Sequence, residues 1–455
     1  MWERVAFEFV RRTVLAPIAR SWDDFWFQPA TTTPLEIVRI GVGSALLFFY
    51  TMATPFLFFF WGDDGWMPRE TATNLASDPW MQSVFFYFWA PWQWIAFHAF
   101  FLCALTAFVV GWRTSFFKWI VLVGHISYDY RNLSISYGAQ SIAACLVLVL
   151  CLAPTGRTIS LDRVRAVRAA KRKDLTATLP PYTSPWAHAC TRLIQLQMAV
   201  LFFFSAVFKI RGDDWWGGDA VWIAFTMNEF YNPVAVWVFA NNYWLVTVAT
   251  YAVILIELAY AFLIWRQRTR PYMLTAAIGL HLAFALGLSL VYFAYIMICG
   301  HMSFLRQAWL ERLGAWWKQR TGALEMIYDG RCGFCVRSMA WFLAFDGLQQ
   351  ISVRDFRANP SPVVSDEQLE KALYLVLPDG RTLAGFEAYR YAVLRVPGQW
   401  WMVPLFYVPI LSRLVGRPLY NWVASHRSSL SGFRWGVPRA AEAVAPEPLQ
   451  ERKAA

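Results

Sequence analysis

The chain has 455 residues, of which 58% are apolar and 18% aromatic, and its mean hydropathy is +0.36. These values exclude an ordinary soluble protein and favour one with several membrane-spanning helices. The net charge of +11 does not indicate a nucleic-acid partner, because the basic residues cluster in short loops between apolar segments. Such loops face the cytoplasm and the anionic headgroups of membrane lipids. We therefore predict a multi-pass protein of a cell membrane, of the bacterial inner or plasma membrane type.

The membrane part is predicted from apolar segments that are long enough, or nearly long enough, to cross a bilayer. They occur at 35–60, 84–110, 117–128, 137–153, 190–208, 244–265 and 272–298. We predict an α-helical polytopic membrane core with about seven crossings that occupies residues 31–305. Residues 1–30 alternate charged and apolar positions, which favours a cytoplasmic amphipathic surface segment over a cleaved signal peptide. Residues 219–240 are apolar but contain Asp219 and Glu229, so we expect a surface or re-entrant element.

The charges of the loops predict the orientation of the chain in the membrane. The basic loops at 154–189 and 266–270 belong on the cytoplasmic side, together with the N-terminus. Seven crossings then place the C-terminal part on the exoplasmic side, where oxidising conditions favour disulfides. The basic residues of a linker helix at 306–320 favour the cytoplasm instead. We follow the internal loops because several of them agree.

Residues 321–435 have a mixed, soluble composition that predicts a small α/β domain. Strand-like segments at 350–356 and 372–377 are followed by a Pro-Asp-Gly-Arg sequence that is typical of a hairpin turn. A helix is predicted at 386–396. The tail at 436–455 is rich in alanine, proline and glutamate, and we expect it to be disordered.

A pair of cysteines lies near the start of this domain. Residues 327–335 read Ile-Tyr-Asp-Gly-Arg-Cys-Gly-Phe-Cys, which predicts a short strand, an Asp-Gly turn and then a helix over 336–345. Cys332 is placed at the helix N-terminus, where unpaired N–H groups and the helix dipole favour a thiolate. Cys335 supplies the second sulfur that thiol–disulfide exchange needs. Half of a zinc site is the alternative, but zinc takes four ligands and the domain has no second cysteine pair, so we predict no metal site.

Further motifs accompany the cysteine pair. They are the stretch 328–335, Asp346, Asp379-Gly380-Arg381, Gly385, Ala388, the stretch 419–424 and Arg427. Together they resemble the DCC family of thiol-disulfide oxidoreductases over about a hundred residues. The resemblance implies a small thioredoxin-like α/β fold, with Cys332 as the attacking thiol and Cys335 as the resolving thiol.

Three ionisable residues lie at or within apolar segments of the membrane core. Glu257 and His281 lie about equally far before and after the loop 266–270, so antiparallel helices would bring them to similar depth. Such a carboxylate–imidazole pair would relay a proton or orient a substrate, or would only fix the register of two helices. Lys209 ends an apolar run, where it either reaches the membrane interface or acts as a desolvated general base.

The same three residues occur within a wider set of matching positions. The set contains the stretch 197–215, Glu257, Arg270-Pro271 and His281. It resembles the HTTM family, the membrane core related to vitamin K-dependent γ-carboxylase, over about residues 30–305. The resemblance implies that Lys209 is a catalytic lysine that deprotonates a reduced quinone and that His281 is an intramembrane histidine. Phe208 replaces a second lysine of the carboxylase and the substrate-presenting domain is missing, so glutamate carboxylation is not implied.

These observations predict an integral-membrane thiol-disulfide oxidoreductase, with Cys332 and Cys335 as redox residues and Lys209, Glu257 and His281 in the core. Its expected partners are membrane lipid, a quinone, and a protein or peptide client that carries a thiol or disulfide. No covalently bound cofactor is expected. One alternative is a carboxylase-like, quinol-dependent enzyme that modifies an exported peptide. The other is a non-enzymatic membrane receptor or chaperone with a vestigial redox fold.

Overall fold

The computed structural model describes residue 13 and residues 15–431, apart from 77 and 79. The chain divides into two compact units. The membrane unit comprises Met1–Arg163 and Pro181–Trp309, and the C-terminal unit comprises Val164–Pro180 and Leu310–Ala455. The predictions for residues 1–12 and for the tail at 436–455 lie outside the described residues.

The membrane unit is built from helices, because a helix satisfies its own backbone hydrogen bonds in an apolar medium. They are α1 (Ala16–Phe27), α2 (Thr33–Ala53), α3 (Leu57–Trp61), α4 (Arg69–Leu75), α5 (Pro91–Val110), α6 (Thr114–Arg131), α7 (Gly138–Leu152), α8 (Leu161–Lys171, which continues into the C-terminal unit), α9 (Pro185–Ile210), α10 (Asp213–Gly217), α11 (Ala220–Thr226), α12 (Pro233–Ala240), α13 (Tyr243–Leu263), α14 (Arg270–Gly287) and α15 (Val291–His301). A short antiparallel pair, β1 (Ala30–Thr31) and β2 (Thr183–Ser184), joins the starts of α2 and α9.

Four helices in the described part of the chain are long and apolar enough to cross a membrane. They are Thr33–Trp61, Pro91–Val110, Pro185–Ile210 and Tyr243–Leu263. Helices Gly138–Leu152 and Val291–Phe304 are apolar but shorter. Length and composition therefore establish a helical membrane protein, whereas they do not establish the seven crossings that the sequence predicts.

The apolar run at 272–298, which the sequence predicts as one crossing, is not a single helix. The apolar run is divided between α14 and α15, and Ser289 between them has a φ of 58°, which turns the chain. His281 and His301 would be about 30 Å apart along a single helix, yet their Nε2 atoms lie 3.1 Å apart. The run is therefore a helical hairpin, and the chain leaves the second helix on the side from which it entered the first.

A buried ion pair joins α2 to the loop before α8. Glu36 and Arg39 are fully buried, with 2.8 Å between Glu36 Oε2 and Arg39 Nε. Glu36 Oε1 accepts hydrogen bonds from the backbone N–H groups of Gly156 and Arg157. Arg39 donates to the carbonyl of Ile159 and to two carbonyls at the end of α5. Because every strongly polar atom of the pair has a partner, these buried charges hold three chain segments in register.

The C-terminal unit contains a four-stranded sheet with helices packed against it. Its elements after α8 are α16 (Gln307–Thr321, which begins in the membrane unit), β3 (Leu324–Tyr328), α17 (Gly333–Leu343), β4 (Ile351–Asp355), α18 (Asp366–Lys371), β5 (Tyr374–Val376), β6 (Thr382–Ala384), α19 (Gly385–Arg395), α20 (Val403–Tyr407), α21 (Pro409–Leu411) and α22 (Arg417–Ser431). The strand order is β4-β3-β5-β6. Strand β3 is parallel to β4, and β5 is antiparallel to both of its neighbours. The cysteine pair follows the carboxyl end of the central strand β3.

The segment Val164–Pro180 belongs to the C-terminal unit, although it lies between membrane helices in sequence. Leu175 is 7% exposed and packs in the same apolar cluster as Leu324 and Met326 of β3. The segment connects α7 to α9 in sequence. The 154–189 loop and the C-terminal domain, which the sequence predicts on opposite sides of the membrane, thus contribute to one compact unit.

Candidate functional site

The two cysteines of the C-terminal unit lie at the start of α17. Cys332 is the N-cap residue, and its sulfur accepts a hydrogen bond from the backbone N–H of Cys335 at 3.3 Å. The two sulfur atoms are 2.6 Å apart. Both side chains are partly exposed. The helix N-terminus places N–H donors and the positive end of its dipole at Cys332, which stabilises a thiolate there.

The turn before Cys332 is held by carboxylates. Asp355, at the end of β4, accepts a hydrogen bond from the N–H of Gly330. A Cβ atom at Gly330 would lie 2.0 Å from Asp355 Oδ2, so any other residue would displace this carboxylate. Arg357 pairs with Asp329 and with Glu370, and these contacts raise the pKa of its guanidinium. The turn is therefore tied to the neighbouring strand, and this fixes the start of α17.

Two buried polar groups lie around the same helix. Asp346, just beyond α17, accepts a hydrogen bond from the N–H of Ile351 at the start of β4, and burial raises the pKa of its carboxyl group. Tyr389 packs on Phe342 of α17, and burial raises the pKa of its hydroxyl. A nearby Cys335 adds to that effect. The aspartate therefore joins α17 to the sheet, while the tyrosine forms a neutral wall beside the cysteine pair.

In the membrane unit, Lys209 lies beside Glu257. The Nζ atom of Lys209 is 2.9 Å from both oxygens of the Glu257 carboxylate, and Ser205 donates to the same carboxylate at 3.1 Å. The side chain of Glu257 is 6% exposed and that of Lys209 is 20% exposed. The centroid of the Trp215 ring lies 5.4 Å from the ammonium. Helices α9 and α13 are thus joined by an ion pair.

His281 has a different partner. Its Nε2 lies 3.1 Å from Nε2 of His301, and the two rings stack with centroids 5.2 Å apart. His301 Nδ1 is 2.7 Å from the hydroxyl of Tyr260, one helical turn from Glu257 on α13. Phe202 of α9 packs against all three rings. Among the described residues, Glu257 and His281 therefore do not hydrogen-bond each other: Glu257 pairs with Lys209, and His281 contacts His301.

The hydrogen bonds of this chain of rings are consistent with a set of tautomers in which the Tyr260 hydroxyl is the donor. The Tyr260 hydroxyl has no acceptor among the described residues except His301 Nδ1. If it donates there, His301 Nε2 carries a proton and donates to His281 Nε2. His281 Nδ1 then carries a proton of its own, and this atom is buried without a hydrogen-bond partner in the described chain. An unpaired buried donor is costly and fits a ligand with an acceptor oxygen.

Sequence reasoning did not single out His301, nor a second histidine cluster between α2, α5 and α6. In that cluster, Tyr50 lies 2.9 Å from His125 Nδ1, and Tyr128 lies 2.7 Å from His98 Nδ1. The sequence did contain a signal for these residues, namely histidines inside apolar runs. Such a histidine is costly unless it has a partner, so each one indicates a polar contact within the core. Among the residues that the structure describes, no group of three or more metal-binding side chains is assembled.

The helical core and the cysteine-bearing sheet domain together define a membrane protein of the redox type. A family model described as the HTTM domain matches residues 27–309, and a model described as DCC1-like thiol-disulfide oxidoreductase matches residues 326–433. The first match covers more than half of the chain, so the chain belongs to the HTTM domain family and carries a C-terminal DCC1-like domain. Both resemblances drawn from the sequence are thereby confirmed. No curated protein and no solved structure matched the chain in these comparisons.

Proposed function

We propose that this protein is a membrane-anchored thiol-disulfide oxidoreductase in which Cys332 and Cys335 form the redox couple. The observation that supports the proposal best is the pair of sulfur atoms 2.6 Å apart at the N-terminus of α17. The sheet order β4-β3-β5-β6, with only β5 reversed, is that of a thioredoxin-like core. This order places α17, the helix that begins at the cysteine pair, directly after the central strand β3.

The exchange needs only these two residues and a client disulfide. The Cys332 thiolate attacks one client sulfur, the client S–S bond breaks, and the other client sulfur leaves as a thiolate. Cys335, deprotonated, then attacks the Cys332 sulfur of the mixed disulfide and releases the second client thiolate. The client gains two electrons and the enzyme holds a Cys332–Cys335 disulfide. A thiol reductant reverses both steps and restores the dithiol form.

We further propose that the C-terminal unit is cytoplasmic. The segment Val164–Pro180 lies in that unit and contains most of the basic residues of a loop between membrane helices. Basic loops are retained in the cytoplasm. In this proposal α2, α5, α6, α7, α9, α13 and the two arms of the α14–α15 hairpin each cross the membrane, which makes eight crossings. An even number returns residue 306 to the side of the N-terminus, and the reducing cytoplasm favours the dithiol form of the pair.

Labelling of intact cells tests this orientation. A membrane-impermeant thiol reagent is expected to leave Cys332 unmodified in intact cells and to modify it once the membrane is broken. The control is the Asp64→Cys variant in a Cys332→Ser background, because residue 64 is exposed in the loop between α3 and α4 on the opposite side. Modification of Cys332 in intact, reduced cells at the rate of the control residue would show an exoplasmic domain.

For the membrane unit, we propose a site for a lipid-soluble carbonyl compound such as a quinone. The support is His281 Nδ1, a buried polar atom without a partner in the described chain, beside the apolar ring of Phe202. A quinone, when bound, supplies an acceptor for two electrons and two protons. His281 would donate to one of its oxygens, and His301 and Tyr260 would hold the donating tautomer. Glu257 lies one helical turn from Tyr260 on α13, and its ion pair with Lys209 would hold the wall of the site in place.

Purified protein is expected to retain a quinone that solvent extraction and chromatography detect. The His281→Leu variant should retain about fivefold less, because one hydrogen bond to the ligand is lost. The matched control is His188→Leu, since His188 also has an unpaired Nδ1 but lies about 20 Å along α9 from Phe202. Equal retention of quinone by the wild type and both variants would show that His281 is not part of the binding site.

The carboxylase-like alternative requires Lys209 to accept a proton. In the structure its ammonium is bound to both oxygens of Glu257, so this pair must open before the lysine can act as a base. No observation favours the receptor alternative over an oxidoreductase. We therefore keep thiol–disulfide exchange as the proposed function.

A further inference from the structure

The C-terminal unit contains a groove beside the cysteine pair. Its volume is about 840 Å³, which is in the range that small organic ligands occupy. Cys335 contributes to its wall, together with apolar side chains such as Trp341, Phe406 and Leu419. The wall therefore combines a reactive sulfur with a surface that attracts an apolar body.

The polar side of this groove is basic. Arg168, Arg172, Arg337 and Lys371 line it, and no aspartate or glutamate does in the part of the chain that the structure describes. Arg168 and Arg172 are one turn apart on and just after α8, and their like charges repel. The Nε atoms of both are buried without a hydrogen-bond partner in the described chain. Burial lowers the pKa of Arg168, and the nearby charge of Arg172 lowers it further. An anion placed between these guanidinium groups would satisfy their donors and relieve the repulsion.

We propose that the substrate of the cysteine pair is an amphipathic organic disulfide with an apolar body and a carboxylate. The inference rests on the proposed function and adds the class of substrate. The apolar body occupies the groove, the carboxylate is held by Arg168 and Arg172, and the disulfide faces Cys335. Because the Cys332 sulfur is 2.6 Å from that of Cys335, a disulfide seated there is within reach of both.

The reaction is a two-electron exchange. The Cys332 thiolate forms a bond to one substrate sulfur as the substrate S–S bond breaks, and a carboxylate-bearing thiolate leaves. Cys335, as the thiolate, then displaces the second carboxylate-bearing thiolate and closes the Cys332–Cys335 disulfide. A thiol such as dithiothreitol supplies the two electrons and two protons that return the pair to its dithiol form.

Two aromatic disulfides that differ in charge test the proposal. Dithiobis-nitrobenzoate carries carboxylates, whereas dithiodipyridine is neutral, and both release coloured thiols. The reduced full-length protein in detergent is expected to prefer the anionic disulfide at low salt. The double variant Arg168→Gln/Arg172→Gln should lower the rate with dithiobis-nitrobenzoate about tenfold or more. Its rate with dithiodipyridine should be unchanged, which also shows that the variant is folded.

The matched control is Arg268→Gln/Arg381→Gln, which removes the same charge from residues that do not line the groove. It should leave both rates unchanged. If the Arg168/Arg172 variant keeps the wild-type ratio of rates, or if the control lowers the anionic rate equally, the substrate proposal is overturned and the oxidoreductase function stands. If neither disulfide reacts in a manner that depends on Cys332, the proposed function fails and the substrate proposal fails with it.

Discussion

Replacement of Cys332 by serine is expected to lower the rate of disulfide exchange by at least roughly a thousandfold. The thiolate is the nucleophile, and a serine hydroxyl at the same N-cap position has no comparable reactivity at neutral pH. The N-terminus of α17 stabilises the negative charge of a thiolate. The serine hydroxyl keeps its proton at neutral pH and therefore gains nothing from this position. Turnover of a small aromatic disulfide with dithiothreitol as reductant is the measurement.

The Cys335→Ser variant should behave differently. The first attack remains possible, but the mixed disulfide cannot be resolved internally, so it should accumulate and be visible by mass spectrometry as an adduct at Cys332. Cys103→Ser is the matched control, because Cys103 is an exposed cysteine on α5 of the membrane unit. Wild-type turnover in Cys332→Ser, or equal loss in Cys103→Ser, would contradict the assignment.

The second large effect is expected from Lys209. The Lys209→Met variant should lose about 3 kcal/mol of unfolding free energy, because it leaves the buried Glu257 carboxylate without its counter-charge. Ser205 remains as the only other partner of that carboxylate in the described chain. Glu257→Gln should cost less, since the more exposed Lys209 reaches water. Denaturant unfolding in a fixed detergent gives these values.

A double substitution separates the ion pair from general damage to the fold. Lys209→Met/Glu257→Leu removes both charges and should recover most of the loss, as expected of a pair in an apolar setting. Lys118→Met is the control, because Lys118 is a buried lysine whose hydrogen bond goes to a backbone carbonyl rather than to a carboxylate. Its cost should be about 1 kcal/mol. Additive losses in the double variant would show that the pair is not coupled.

The chemistry of the C-terminal unit could be predicted from local sequence. An apolar strand, an Asp-Gly turn and a helix that begins at a cysteine are determined over nine residues, and the structure has α17 at Gly333–Leu343. The membrane crossings were harder to predict, because the positive-φ residue of the turn is Ser289 rather than a glycine, and the turn lies inside a continuous apolar run. The contact between His301 and His281 depends on that turn, so His301 was not predicted either.

The partner of Glu257 could not be read from spacing alone. Equal distance from a loop predicts similar depth on two helices, but the helical face that each residue occupies depends on packing with a third helix. Helix α9 brings Lys209 to Glu257, while the second arm of the α14–α15 hairpin brings His301 to His281. Contacts of this kind join residues far apart in sequence, and no local pattern encodes them.

The burial of Leu175 in the core of the sheet domain has a consequence for biosynthesis. A ribosome adds about 5–20 residues each second, and Leu175 is made about 150 residues before β3, so it waits roughly 8–30 s for its partners. During that interval the chain from α9 to α15 is synthesised. The sheet domain therefore cannot complete its core as an independent module at the end of the chain. Exchanging it between proteins would require the loop at Val164–Pro180 to be transferred with it.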